Sequence, residues 1–309
     1  MTLDTLLIPT DGSEPAETAA RRGFDLAEAL GAAVHVLSVA DSAIATGAGY
    51  GGDSPSIRRR LRKNADARAA SLCEKAETRG LEATAVIREG IPAEEIVAYA
   101  ADHEVDAILI GTSGRGGLSR AIMGSVADKV VRTASVPVVT ITPSAAEADA
   151  DDIRFDSILL PTDGSEPAEV AIRRGFDLAE RLDATVHLLS VIEPALSDSS
   201  EVGTDPSDRL RERAGAYLET LAGDAHERGL NAVTATTDGR PASAILEYAE
   251  TNDIDAIAMG THGRGGFERL VVGSVTDAVI RNATVPVCTV RPNDLRTEAN
   301  EIAGDDDSN

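Results

Sequence analysis

The sequence predicts two consecutive copies of a doubly wound α/β domain, and three observations support this prediction. The nine residues PTDGSEPAE occur twice, at positions 9–17 and 161–169. In each copy, short apolar runs alternate with segments of helical periodicity. Each copy also contains the glycine-rich sequence GTxGRGG, at 111–117 and 260–266. Alternating strands and helices form a parallel sheet with helices on both faces, so we expect one such sheet per copy.

Length and composition agree with two globular domains. The 309 residues suit two domains of about 150 residues each. Apolar residues make up 42% of the chain and aromatic residues only 3%, so the cores must consist of Ala, Val, Ile and Leu. No apolar run is long enough for a membrane-spanning helix, and the first residues lack the features of a secretory signal. The two cysteines, Cys73 and Cys288, have no partner spacing, which fits a reducing cytoplasm.

The charge balance is strongly acidic. The chain has 29 basic and 52 acidic residues, a net charge of −23. A field of this sign repels phosphate backbones, so we expect no nucleic-acid partner. Only three of the basic residues are lysines. Few lysines and many carboxylates are typical of a halophilic surface, because concentrated salt screens the self-repulsion. The simpler alternative is an acidic protein without this adaptation.

The repeats set the domain boundaries. Their period of about 150 residues is too long for a solenoid unit and indicates a duplicated domain. The segment between the copies is acidic, rich in small residues and without periodicity, as expected of a linker. We therefore expect domains at 1–143 and 154–292, an acidic linker at 144–153 and an acidic, disordered tail at 293–309.

Within each copy the elements follow one another in a fixed order. The first copy opens with a buried strand at 3–8, an Asp-Gly-Ser turn and a helix that Ser13 is placed to cap. Small residues on one face of this helix allow it to lie close to the sheet. They are Ala16, Ala20, Gly23, Ala27 and Leu30, matched in the second copy by Ala168, Ile172, Gly175, Ala179 and Leu182. Further strands are expected at 33–39, 82–88, 105–110 and 136–141, helices at 58–79, from 92 and from about 125, and a loop at 41–56.

The glycine loop and the end of the first strand together suggest an anion site. In parallel sheets, ligands bind beyond the carboxyl ends of the strands, where the strand order reverses. If the fourth strand lies beside the first, Asp11 and the loop from Gly111 share one crevice. Glycines let backbone N–H groups approach an anion, and Gly124-Ser125 opens a helix whose first N–H groups favour phosphate. A carboxylate such as Asp11 accepts hydrogen bonds from ribose hydroxyls or lies near a phosphate-bound cation. The simpler alternative is that the glycines only make a tight turn.

The pattern Gly-x2-Gly-x9-Gly-Ser, at 111–125 and 260–274, resembles that of the universal stress protein (UspA) family. The opening LLIPTDGSEPA and the closing VPVVTI strengthen the resemblance, which covers both repeats. It marks the chain as a tandem, two-domain member of the ATP-binding branch. The resemblance implies an adenine nucleotide alpha hydrolase-like fold with a five-stranded parallel sheet of order 3-2-1-4-5. It also implies pairing of the last strands, 136–141 and 285–290, within one chain as a pseudo-dimer or between two chains as a homodimer.

The resemblance implies roles for particular residues. Asp11 and Asp163 would lie by the nucleoside, the backbone near Val39 and Val191 by the adenine, and the glycine–serine elements would hold the phosphates. The expected ATP-binding residues are Pro9, Thr10, Asp11, Val39, Gly111, Gly114, Arg115, Gly124, Ser125 and Val126 in the first copy, and Pro161, Thr162, Asp163, Val191, Gly260, Gly263, Arg264, Gly273, Ser274 and Val275 in the second.

The expected function is nucleotide-dependent sensing or partner binding in a cytoplasmic stress response. We assign no catalytic residue and no metal cluster, and Mg²⁺ would arrive only with the phosphates. A slow ATPase or nucleotidyl-transfer enzyme is one alternative, although no lysine follows the glycines as in a P-loop. An oligomerisation module without working nucleotide sites is another. Because Ser113 in one loop corresponds to His262 in the other, the two affinities need not be equal.

Overall fold

The first half of the protein alternates strands and helices as predicted. The structure, a computed structural model, describes residues 3–42, 55–113, 123–147, 155–193, 206–263 and 272–291. The elements of the first half are β1 (Thr5–Pro9), α1 (Glu14–Leu30), β2 (Ala33–Asp41), α2 (Pro55–Thr78), β3 (Ala83–Gly90), α3 (Pro92–Asp102), β4 (Ala107–Gly111), α4 (Ser125–Thr133) and β5 (Val138–Ile141).

A short helix separates this half from a second half with the same order of elements. The helix is α5 (Pro143–Glu147). The second half contains β6 (Ser157–Pro161), α6 (Glu166–Leu182), β7 (Thr185–Ile192), α7 (Pro206–Glu227), β8 (Ala232–Asp238), α8 (Pro241–Thr251), β9 (Ala256–Gly260), α9 (Ser274–Asn282) and β10 (Val287–Val290).

The described strands form one sheet of ten strands. Its order is β3-β2-β1-β4-β5-β10-β9-β6-β7-β8, so each half has the predicted order 3-2-1-4-5. Strands within each half are parallel, whereas β5 and β10 pair antiparallel with Cys288 opposite Val139. The last strands thus join the two halves inside one chain. A homodimer through these strands stays a prediction.

The core lies on both faces of the sheet. The central strand β1 is fully buried at Leu6, Leu7 and Ile8. On the face covered by α3, α4, α8 and α9, buried apolar side chains of both halves form one continuous cluster. On the opposite face, most of the buried side chains divide into two larger clusters, one under α1 and α2 and one under α6 and α7. The two halves therefore share a core as well as a sheet.

The small residues of α1 and α6 allow close packing, as predicted. A Cβ atom added at Gly23 would lie 2.8 Å from Cδ1 of Ile8. At Gly175 it would clash with the side chain of Leu160. A larger residue at either position would force the facing side chain or the helix itself to shift in a closely packed core.

The predicted linker begins inside α5. Proline at the start of this helix presets its backbone, and the Arg22 Nε of α1 donates a hydrogen bond to the carbonyl oxygen of Ala145 at 3.1 Å. The Thr142 hydroxyl also accepts a hydrogen bond from the Ala145 N–H at 3.0 Å, so a local cap and a contact with a buried arginine both support this short helix. The rest of the linker and the whole predicted tail lie outside the described residues.

Candidate functional site

The carboxyl ends of β1 and β4 lie side by side. Leu6 pairs with Ala107 and Leu7 with Ile108, so both strands end at the same edge of the sheet. Beyond these ends, Thr10 N donates to the Leu37 carbonyl at 2.8 Å and Thr112 N to the Ile141 carbonyl at 2.9 Å. Both threonines are buried. The chain after each strand is therefore held firmly at the rim of a crevice, and the second half repeats this arrangement at Thr162 and Thr261.

The aspartate at the end of the first strand is fixed by its own turn. Asp11 Oδ1 accepts a hydrogen bond from the backbone N–H of Ser13 at 2.9 Å. Asp163 Oδ1 accepts the same bond from Ser165 at 3.0 Å. In the first turn, Gly12 has φ +72°, a conformation that favours glycine. This Asx turn sets the direction of the carboxylate before any ligand binds.

In the second half, the aspartate reaches the glycine loop. A Cβ atom added at Gly263 would lie 2.6 Å from Asp163 Oδ2. Asp163 is exposed, so the oxygen that the turn does not use lies in a solvent-accessible crevice. The side chain after β6 and the loop after β9 thus come together, as the reversal of strand order predicts.

Each glycine loop is closed at its base by one hydrogen bond. Gly124 N donates to the Thr112 carbonyl at 2.7 Å, and Gly273 N donates to the Thr261 carbonyl at 2.8 Å. Gly114, Arg115 and Arg264, which the sequence places in these loops, lie outside the described residues. The bond brings the start of the helix back to the end of the strand, so both border the same crevice.

The helix that follows each loop presents a positive end. Gly124 and Gly273 are the N-cap residues of α4 and α9, and neither helix has a side-chain cap. The next residues, Ser125 and Ser274, are exposed. Backbone N–H groups of a first helical turn have no partner within the helix, and they bind anions with the help of the helix dipole.

Acidic residues in these first turns do not cancel the positive end. Asp128 accepts two hydrogen bonds from Arg132, both 2.9 Å long. Asp277 accepts two from Arg281, both 2.8 Å long. These bidentate pairs raise the pKa of both arginines, chiefly through the hydrogen bonds to the carboxylates. Each carboxylate is neutralised by its arginine one turn along, which leaves the helix N-terminus available to an anion.

The other residues that the sequence predicts to contact the nucleotide lie near the carboxyl ends of the strands. Pro9 and Pro161 end β1 and β6, two residues before Asp11 and Asp163. Val39 and Val191 lie near the carboxyl ends of β2 and β7, and Val126 and Val275 lie in the first turns of α4 and α9. All four valines are partly buried and pack on the shared core cluster. Each therefore keeps part of its surface exposed to solvent.

At some of the glycines predicted to bind the nucleotide, close packing disfavours a side chain. A Cβ atom at Gly260 would lie 2.8 Å from the Pro167 carbonyl oxygen, and one at Gly111 would lie 3.1 Å from Cβ of Ala19. These glycines let the first turns of α6 and α1 approach β9 and β4. At Gly273, the added atom would lie 3.2 Å from Cα of His262. A side chain there would require a small shift of the loop, and the sequence pattern alone does not distinguish this packing effect from contact with phosphate.

Sequence analysis missed two residues near the crevices. In the first half, Cδ of Arg68, on α2, lies 2.8 Å from the position of a Cβ atom added at Gly12. In the second half, the hydroxyl of Tyr217, on α7, donates to Glu169 Oε1 at 3.4 Å. Burial raises the pKa of Tyr217, so its hydroxyl stays protonated at neutral pH. No local pattern reveals these contacts, because they depend on the rotation of each helix about its axis.

The chemistry of the crevice fits a phosphorylated nucleoside. It combines a carboxylate acceptor, partly buried valines and a helix N-terminus without a side-chain cap. Across the described ranges, no three His, Cys, Asp or Glu side chains form a group that could hold a metal ion. In the same ranges, no helix is long and apolar enough to cross a membrane.

These features define a class of protein: doubly wound α/β domains with a crevice at the reversal of strand order, present twice in one chain. The universal stress protein family model, Usp, matches residues 2–142 and again residues 154–291. The chain belongs to the universal stress protein family, as a tandem member.

Individual relatives agree with this assignment. A universal stress protein of Methanocaldococcus jannaschii is 34% identical over 140 residues, which are 44% of this chain and 82% of the relative. One of Mycobacterium tuberculosis is 32% identical over 196 residues, 61% of this chain and 63% of the relative, so the match spans less than two thirds of that protein. The crystal structure of a universal stress protein from Archaeoglobus fulgidus has a TM-score of 0.71 at 22% identity and covers 94% of this chain and 97% of its own. This last similarity concerns the fold.

Proposed function

We propose that each half binds an adenine nucleotide, with ATP as the expected ligand, and that the bound state controls interaction with a partner in a stress response. The observation that carries the proposal is the meeting of Asp163 with Gly263, beside a helix start without a side-chain cap. At one edge of the sheet, the carboxylate suits the ribose of a nucleotide and the helix N-terminus suits its phosphates.

The roles of the residues follow from their chemistry. Asp11 and Asp163 accept hydrogen bonds from ribose hydroxyls through their carboxylate oxygens. Backbone N–H groups at Ser125 and Ser274 bind the phosphates, and the serine hydroxyls donate to them. Val39 and Val191 provide an apolar contact for the adenine. Mg²⁺ would accompany the phosphates and neutralise part of their charge.

The test is to find the nucleotide and then remove one acceptor oxygen. The full chain is purified in concentrated KCl and denatured, and any released nucleotide is identified. Titration calorimetry then compares the wild type with the double variant Asp11→Asn/Asp163→Asn. Asparagine keeps an oxygen for the Asx turn but replaces the other acceptor with a donor, so we expect ATP affinity to fall by about tenfold or more, the scale of a hydrogen bond to a charged group.

Asp66→Asn is the matched control, because Asp66 is an exposed carboxylate of α2. It should bind ATP as the wild type does. If the wild type neither retains nor binds a nucleotide, the proposal is wrong. Sustained release of ADP over many turnovers would instead favour the slow ATPase.

A further inference from the structure

The two crevices differ on the helix beside the strand end. Helices α2 and α7 can be aligned by a shared anchor. Arg79 pairs with Asp25 at 2.5 Å and Glu28 at 2.6 Å, and Arg228 makes the corresponding pairs with Asp177 at 3.0 Å and Glu180 at 3.4 Å. Counting back from these anchors, Arg68 corresponds to Tyr217, and Lys75 corresponds to Asp224.

In the first half, this helix brings positive charge to the crevice. Arg68 lies against Gly12, the neighbour of Asp11, with Cδ 2.8 Å and Nε 3.1 Å from the position of an added Cβ atom. About two turns further along α2, Lys75 Nζ lies 2.7 Å from Glu17 Oε2. Lys75 thereby neutralises an acidic residue in the first turn of α1. The rim next to Asp11 therefore contains two cations, Arg68 beside the turn and Lys75 paired with Glu17.

In the second half, the same positions carry no cation. The Tyr217 hydroxyl donates to Glu169, the residue that corresponds to Glu17, at 3.4 Å. The position of Lys75 is taken by Asp224. Thr162 also hydrogen-bonds to the Tyr217 hydroxyl, and the nearby charge of Asp163 helps to raise the pKa of that hydroxyl. Of the residues named here, the rim next to Asp163 therefore carries three carboxylates and no cation, whereas the rim next to Asp11 carries two cations and two carboxylates.

We propose that Arg68 and Tyr217 determine the specificity of the two nucleotide sites that the proposed function requires. The first half selects its ligand by phosphate charge and prefers ATP strongly to adenosine. The second half binds the nucleoside, and the phosphates of ATP increase its affinity much less than they do in the first half. A guanidinium is always charged and offers several donors that match phosphate oxygens, whereas a tyrosine offers one neutral hydroxyl. In a chain of net charge −23, a local cation matters more to a polyphosphate than in a neutral protein.

The experiment measures ATP and adenosine affinities for each half within the full chain. The first half is measured in an Asp163→Asn background and the second in an Asp11→Asn background, by titration calorimetry in KCl. We expect the preference for ATP over adenosine to be at least about tenfold larger in the first half, the scale of one hydrogen bond to a charged group. Arg68→Tyr should lower this preference to that of the second half, and Tyr217→Arg should raise that of the second.

Two controls separate charge recognition from a structural role. Arg68→Lys keeps the charge and should retain part of the preference, and Arg62→Tyr changes an exposed arginine on the same helix and should leave it unchanged. If Arg68→Tyr weakens ATP and adenosine equally and lowers the melting temperature, Arg68 only supports the turn and the inference is overturned. Equal preferences in the two unsubstituted halves would overturn it as well. Loss of all binding in the wild type would instead refute the proposed function.

Discussion

The turn that begins at Asp11 and the helix cap at Ser13 could be predicted from the sequence, because both depend on local interactions. Asp-Gly-Ser before a helical pattern predicts a turn and an N-cap, and Ser13 Oγ accepts from the Ala16 N–H at 3.4 Å. Arg68 could not be assigned in this way. Its contact with Gly12 depends on how α2 packs against β1, and no spacing along the chain encodes that distance.

Asp163 and Gly263 lie so close together that even a methyl group at Gly263 should disturb the carboxylate. Gly263→Ala places a methyl group 2.6 Å from Asp163 Oδ2, so the carboxylate must move away from the crevice. We expect nucleotide binding in the second half to weaken, with little change in melting temperature, because Gly263 is exposed. Calorimetry in the Asp11→Asn background measures the affinity, and thermal unfolding measures the stability. An unchanged affinity would place the ligand elsewhere.

Helix α7 carries two glycines that its fold does not need. A Cβ atom added at Gly215 or Gly223 meets no atom within 4 Å. Glycine inside a helix costs about 1 kcal/mol relative to alanine, because more backbone freedom is lost on folding. We therefore expect Gly215→Ala and Gly223→Ala each to raise the free energy of unfolding by about that amount. Denaturant titration at fixed KCl concentration gives the value.

Gly229, just after the same helix, is the matched control. It also has open space around it, but its φ is +81°. Gly229→Ala should therefore lower stability, because an L side chain is strained in that conformation. If all three variants change stability in the same direction, backbone conformation does not explain the difference.

Strands and helices were predicted more accurately than their ends. The apolar runs and the helical faces predict each described strand and the long helices of the first half, with limits that differ by a few residues. For example, the strand expected at 3–8 is found at Thr5–Pro9, because Pro9 still pairs with Leu37 of β2. Helix α5 was not predicted, because it is too short to show a helical period. Its start is marked only by Pro143 and by the Thr142 hydroxyl, which accepts from the Ala145 N–H at 3.0 Å, and Arg22 of α1 adds a contact from outside the segment.

At the scale of the whole molecule, the joint between β5 and β10 holds the halves together. Beside the strand pairing, Thr142 Oγ1 donates to the Ala283 carbonyl at 2.7 Å and Arg291 Nη2 to the Val131 carbonyl at 3.0 Å. The shared core cluster adds apolar contact across the joint. The sequence could suggest this pairing only through the family resemblance, which left open whether it joins two halves or two chains. The halophilic surface likewise stays a prediction.

This joint predicts the result of cutting the linker. A protease site inserted at 148–153 and cleaved in concentrated KCl should leave the two halves associated. Gel filtration should show one species of the size of the intact chain. The combined substitution Thr142→Val/Arg291→Ala removes two hydrogen bonds of the joint and should make the cleaved halves easier to separate by dilution. Halves that elute separately without these substitutions would show that the linker, not the joint, holds them together.

The antiparallel pairing of β5 with β10 also sets the direction of the two sites. All strands of one half run opposite to those of the other, so the two crevices open on opposite edges of a single sheet. At least one strand length, about 15 Å, separates the two crevices, and this distance exceeds the screening length in physiological salt. Charges at one crevice are therefore largely screened from charges at the other. If both crevices bind nucleotides as proposed, we expect each to be filled independently of the other.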